Sequence, residues 1–117
     1  VNTHLTDDGA IARLRAQSDN ARAVESMLDY LTLPAPTVVA RHDVVYVTVA
    51  DADDLLPWLH ELGGVVRASA EFEGLRLWTL STFTPPVGGA RVPVRVSVPV
   101  PVGEPVMADL VHAVVAA

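Results

Sequence analysis

The sequence predicts an α+β fold: three helices and a four- or five-stranded, mostly antiparallel sheet, in the order α-β-β-α-β-β-β-α. Three observations carry this. Segments 8–31 and 54–62 repeat apolar residues at helical spacing behind acidic starts. Four stretches between residues 37 and 83 are rich in β-branched and aromatic residues and are separated by turn residues. Segment 92–102 alternates without a fault, with every valine on one face and every proline on the other.

Residues 1–6 read as a loose N-terminal end, after which Thr6, Asp7 and Asp8 supply capping oxygens and negative charge for a helix start. Ile11, Leu14, Ala21, Val24, Leu28 and Leu31 then recur at spacings of three, four and seven. Ser18, Asp19 and Asn20 interrupt the stripe, so 8–31 is one helix with a weak centre or two short ones meeting near Asp19. Leu33-Pro34-Ala35-Pro36 ends it, since proline can neither continue helical bonding nor leave its predecessor in the α region. Thr37 to Ala40 and Val44 to Ala50, joined by Arg41-His42-Asp43, form a tight hairpin or one bent strand. The second run is apolar on both faces, with Val45, Val47 and Val49 opposite Val44, Tyr46 and Thr48, which predicts a central strand.

Asp51, Asp53 and Asp54 ahead of Leu55, Leu56, Trp58, Leu59 and Leu62 mark the next helix, capped at Asp53 or Asp54 with Pro57 in its first turn. Gly63-Gly64 stops it. Runs 65–72 and 75–83 flank Glu73-Gly74, a hairpin signal, and Val66, Ala68, Ala70 and Phe72 are expected on one face of the first arm. Two prolines and two glycines make 84–89 a loop.

In the last strand Val92, Val94, Val96, Val98, Val100 and Val102 share one face, while Pro93, Arg95, Ser97, Pro99 and Pro101 share the other. Backbone N–H groups also alternate sides, so the three prolines all delete donors from one lateral edge. This predicts that 92–102 is an edge strand blunted against further pairing. Gly103-Glu104-Pro105 turns the chain into a closing helix over 105–116, with Val106, Leu110, Val114 and Met107 inward.

The 117 residues, 50% hydrophobic and 19% charged, suit one domain spanning 1–117. With no cysteine, disulfides, thiolate catalysis and cysteine-based zinc sites are excluded. All eight basic residues are arginine, a bias expected of a high-GC bacterial genome. A net charge of −6 argues against direct nucleic-acid binding, which needs basic residues concentrated on one face. Every apolar run is broken before it could cross a bilayer, so no membrane partner and a cytoplasmic location are expected.

No catalytic, metal or cofactor constellation is legible. His4, His42, His60 and His112 lack ligand spacing. The Asp51, Asp53, Asp54 cluster has carboxylates that a hard cation could use, but no calcium-loop glycine or distal glutamate, and helix capping explains it better. Ser69, Ser81, Thr79, Thr82 and Thr84 have no nucleophile-elbow setting, and neither glycine pair forms a phosphate loop. Trp58 and Trp78 are expected first as core residues.

The order strand, helix ending Leu62-Gly63-Gly64, strand and strand over 45–80, continued by 92–102, resembles the βαβββ module of the vicinal oxygen chelate family. The metal-binding histidine which that resemblance implies for the first strand is absent, with Val45, Val47 and Val49 on one side, and no site is carried over.

The resulting expectation is a non-enzymatic domain that binds another protein or itself, with a homodimer as one form. The alternative is a small-molecule-binding or enzyme-like domain whose pocket lies near Trp58 and Trp78, with Tyr46, His60 and Arg76 contributing.

Overall fold

The structure is a computed structural model that describes residues 3–86 and 89–114. Its elements are α1 (Thr3–Tyr30), β1 (Thr37–Ala40), β2 (Val45–Thr48), α2 (Leu55–Leu62), β3 (Val65–Ala68), β4 (Leu75–Phe83), β5 (Pro93–Pro101) and α3 (Ala108–Ala113), with a 3₁₀ turn, Ala52–Asp54, leading into α2. The five strands form one sheet in the order β1-β2-β5-β4-β3. β2 and β5 are parallel and every other pair is antiparallel. The α+β class, the element order and the mostly antiparallel sheet are as the sequence predicts.

Segment 92–102 is not an edge. β5 is the middle strand, paired with β4 along its whole length and with β2 over Val94 to Ser97. The carbonyl of Ser97 accepts from the N–H of Val49 at 3.0 Å, so the odd-numbered residues of β5 direct their backbone groups toward β2. Pro93, Pro99 and Pro101 do delete donors on that side, but five residues separate the first two. Arg95 and Ser97 remain between them, and their N–H groups meet Val45 and Val47. A parallel neighbour bonds through alternate residues, so two donors suffice for a four-residue strand. The sheet edges are β1 and β3, and β3 is bridged at Val66 by Val114.

The helices cover one face of the sheet. Val45, Val47, Val66, Leu80, Val94, Val96 and Val98 point into a single core cluster, each no more than 1% exposed, and Val24, Met27, Leu55, Trp58 and Leu110 close over them. Trp58 Nε1 donates to the carbonyl of Pro34 at 2.8 Å, which satisfies the buried indole and fixes the chain after α1. Gly64 permits the closest approach in this layer: a Cβ there would lie 2.3 Å from the Ser81 carbonyl oxygen.

α1 is one continuous helix. It starts at Thr3, so the expected loose end is helical from that residue, while Val1 and Asn2 lie outside the described residues. Thr6, Asp7 and Asp8 are therefore inside the helix rather than at its cap. No proline interrupts 3–30, and propagation costs little once the packed half has nucleated. Asn20, expected to weaken the centre, instead anchors it: its side-chain amide donates to the carbonyls of Arg41 at 2.9 Å and His42 at 3.1 Å. The predicted apolar stripe divides at this point. Val24 and Met27 are buried, whereas Ile11 and Leu14 are exposed. A helix of ~42 Å overruns the four-residue strands β1 and β2 against which it packs, each ~13 Å long, and Ile11 lies roughly 140° around the axis from Val24.

Thr37–Ala40 and Val45–Thr48 make the hairpin form of that segment, and β2 is interior as predicted. Asp51 begins the 3₁₀ turn and Asp54 precedes α2; the Asp54 carboxylate accepts from the Asp51 N–H at 3.2 Å, a capping role. β3 stops at Ala68, short of the predicted Phe72. The Ser69 hydroxyl accepts from the Leu77 N–H at 2.8 Å and donates to the Ala70 carbonyl at 2.9 Å. Three residues, 69–71, then oppose two, 76–77, between the pairs Ala68–Trp78 and Phe72–Leu75. This bulge moves Phe72 off the face of Val66 and Ala68, leaving it 75% exposed. Glu73 and Gly74, at φ of 51° and 79°, complete the turn. α3 spans six residues rather than twelve: Leu110 is buried, Met107 is exposed, and residues 115 and 116 of the predicted helix lie outside the described ones.

Candidate docking surface

Among the described residues, no helix lies on the second face of the sheet. Strand alternation puts there every side chain that the core does not take, and the register sorts them into rows across the strands. One row runs Val39, Tyr46, Arg95, Ser81, Val65, and the next runs Thr37, Thr48, Ser97, Thr79, Arg67. Phe83 pairs with Pro93 beyond the first row, and Leu77 with Pro99 and Leu75 with Pro101 beyond the second. Phe72 joins Leu75 at that end because of the bulge.

A row of hydroxyl side chains ending in Arg67 therefore crosses the middle; Leu77, Pro99, Leu75 and Pro101 lie on one side of it, and Val39, Tyr46, Val65, Phe83 and Pro93, interrupted by Arg95 and Ser81, lie on the other. Thr79 Oγ1 and Ser97 Oγ are 3.1 Å apart and hydrogen-bonded within the central row. Val39, Tyr46, Val65, Leu75, Leu77 and Phe83 are each 39–47% exposed. Six apolar side chains half open to water on one regular surface differ from the scattered exposed leucines that any protein carries.

The charge on this face is opposite in sign to that of the chain. The five strands contain Arg67, Arg76 and Arg95 and no carboxylate, within a protein of net charge −6. Arg67 and Arg95 project from the open face. Just before β5, the Arg91 guanidinium stands 4.8 Å from the centroid of the Phe83 ring, a cation–π contact that holds it at that end. The acidic groups collect beyond the opposite end of β4 and β5. Glu71 and Glu73 lie in the hairpin, and Glu104 follows the last strand with its N–H on the Pro101 carbonyl at 3.1 Å. In the β1–β2 turn Arg41 and Asp43 offset one another. The strands of the open face thus carry positive charge, to which Arg91 adds at the Phe83 end, while Glu104 borders Trp78, Val100 and Val106 on the covered side.

Of the residues named from sequence as a possible pocket, the structure brings together only Trp78 and Arg76 among the described residues. Trp58 is sealed in the core and Tyr46 lies on the opposite side of the sheet. Trp78 and Arg76 border a shallow hollow with Val100, Pro101 and Val106, and His60 borders a different one with Leu33, Leu56 and Pro57. A hollow of about 400 Å³ lies elsewhere, between α1 at Asn20, Ala23 and Met27 and the segment containing Thr84, Pro85 and Val92. Among the described residues, no three His, Asp or Glu side chains are grouped to hold a metal ion. No helix among them is long and apolar enough to cross a membrane.

Sequence reasoning missed the open face as a site. Its signal was present in the polar-looking side of β5 and in Leu75, Leu77 and Phe83 sharing one phase of β4, but a surface made of rows requires the strand order. Comparison with family models, with curated proteins and with solved structures finds no match to this chain.

Proposed function

We propose that this protein is a non-enzymatic interaction domain and that the open face of its sheet is the contact surface. The observation that carries the reading is the set of six half-exposed apolar side chains on a face that no helix covers among the described residues, opposite a face whose core residues are fully buried. Covering such a patch removes apolar area from water at about 25 cal/mol per Å². The regular sheet beneath it is already rigid, so little ordering entropy opposes contact. The hydroxyls of the central row supply donors and acceptors that orient a partner.

A photo-cross-linking residue placed at Leu77, and separately at Glu25 on the exposed side of α1, tests this in the native host. Adducts formed from position 77 and not from position 25 support the reading. Equal yields at the two positions, or none at 77, overturn it.

A further inference from the structure

We infer that the partner of the open face is an acidic amphipathic helix of another protein, lying along β4 and β5 with carboxylates at its centre and apolar side chains toward both ends. The inference rests on the interaction reading above and adds the chemistry of the partner.

The sign of the charge follows from what the middle of the face lacks. Arg95 stands on the central strand between Tyr46 and Ser81, and Arg67 ends the neighbouring row. Among the described residues, no carboxylate forms an ion pair with Arg67, Arg91 or Arg95. Thr48, Ser97 and Thr79 add hydroxyls beside Arg95, so this middle is rich in donors and holds no charged acceptor. An apolar or basic surface laid over it would bury a guanidinium without a partner, which is costly. A carboxylate over Arg95 removes that cost, and the guanidinium can hold it through two parallel hydrogen bonds. Salt confines the reach of each charge to about 10 Å, so these arginines govern what meets the middle of the face even in a chain of net charge −6. A second copy of the same face brings no carboxylate from its strands and is disfavoured on the same ground.

The apolar requirement follows from the two ends. On β4, Leu75 and Leu77 stand at one end and Phe83 at the other, each half-exposed, with Pro101, Pro99 and Pro93 beside them on β5. From Leu75 to Phe83 the strand runs ~27 Å, the length of about 18 helical residues. An extended segment over these side chains would bring its backbone N–H and C=O groups against carbon, with no bond to make. A helix bonds its own backbone, and helices already cover the other face of the same strands. Such a contact lies at the small end of specific interfaces, so a dissociation constant on the order of 100 µM is expected.

The probe is a synthetic helical peptide of about 18 residues with leucines at both ends of one face and glutamates between them. Its control carries lysines in place of those glutamates. Each is titrated into the isotope-labelled full chain, and binding is read from amide chemical shifts. The glutamate peptide should shift Tyr46, Leu77, Thr79 and Arg95 more than Glu25 on α1, and added salt should weaken it. The lysine peptide should bind at least about tenfold more weakly. R95E, confirmed folded by circular dichroism, should remove that preference. L77D should weaken the glutamate peptide at least about tenfold, with its thermal midpoint little changed.

Equal binding of the two peptides, a preference unchanged in R95E, shifts centred away from the open face, or no binding at about 1 mM overturns the inference. A single-stranded oligonucleotide that binds this face more tightly than the glutamate peptide also overturns it, since rings such as Tyr46 and Phe83 beside arginines suit bases too. So does a dimer of the chain, seen by sedimentation and abolished by L77D. The cross-linking experiment separates the two levels. Adducts from position 77 together with failure of the glutamate peptide leave the interaction reading standing and remove the acidic helix.

Discussion

The two faces of this sheet are built from the same strands by the same alternation and meet opposite fates. On β5 the valines at 94, 96 and 98 are excluded from water by three helices, while Arg95 and Ser97, one residue away, face outward. On β4, Leu80 is fully buried and Leu77 is half open. Burial by itself therefore does not explain the composition of the outward face. A surface evolved only to be wet would hold charged side chains of both signs, whereas this one holds leucine, tyrosine, phenylalanine and arginine and no carboxylate within the strands. The covered face accounts for the fold, and the open face is where selection for contact would act.

Substitutions matched across the sheet sharpen or break that contrast. The largest effect is expected at Leu80→Ala, which opens a cavity among Val66, Val96 and their neighbours and should cost about 3 kcal/mol in urea unfolding. The matching Leu77→Ala, measured on dilute protein, should cost less than about 1 kcal/mol, since its side chain keeps much of its water contact. Equal losses would mean that the open face is as structural as the covered one. Trp58→Phe should cost about 1 kcal/mol by leaving the half-buried Pro34 carbonyl without the indole donor, which denaturant midpoints at unchanged slope will report. Asn20→Ala removes two hydrogen bonds at the half-exposed junction of α1 with the β1–β2 turn and should cost about 1 kcal/mol. Amide exchange at Arg41 to Val44 should then rise more than at Val94 to Val98. The smallest effect is expected for Thr79→Val, under about 0.5 kcal/mol, because Ser97 keeps access to solvent in dilute protein.

The fold was more legible than the surface, and for a physical reason. Local rules locate elements: proline at 34 and 36 ends a helix, aspartates at 51 to 54 begin one, and Gly64 permits the approach of β4 to the end of α2. Each of these is decided within a few residues. The site depends on which strands are neighbours, a long-range fact that the alternation of a single strand does not contain. Segment 92–102 shows the difference. Its two faces were read correctly and its place in the sheet was not, because three prolines on one lateral side suggested that no neighbour could sit there. The bulge at Ser69 was missed for a related reason. A serine in a strand-like run gives no notice that its hydroxyl will replace a ladder bond and shift Phe72 to the other face.

The proline spacing on β5 has a further effect, on where β2 is allowed to attach. Six valines in phase give the strand a repeating pattern, and a repeating pattern is degenerate. β2 displaced by two residues in either direction would still turn Val45 and Val47 inward, and hydrophobicity alone would hardly discriminate among the three alignments. The backbone does discriminate. Slid one way, β2 would offer a carbonyl to Pro99, and slid the other way, to Pro93, and neither has a hydrogen to give. Only the observed alignment employs both Arg95 and Ser97. The prolines thus act as stops at the two ends of a track, giving a monotonous strand a single address for its partner.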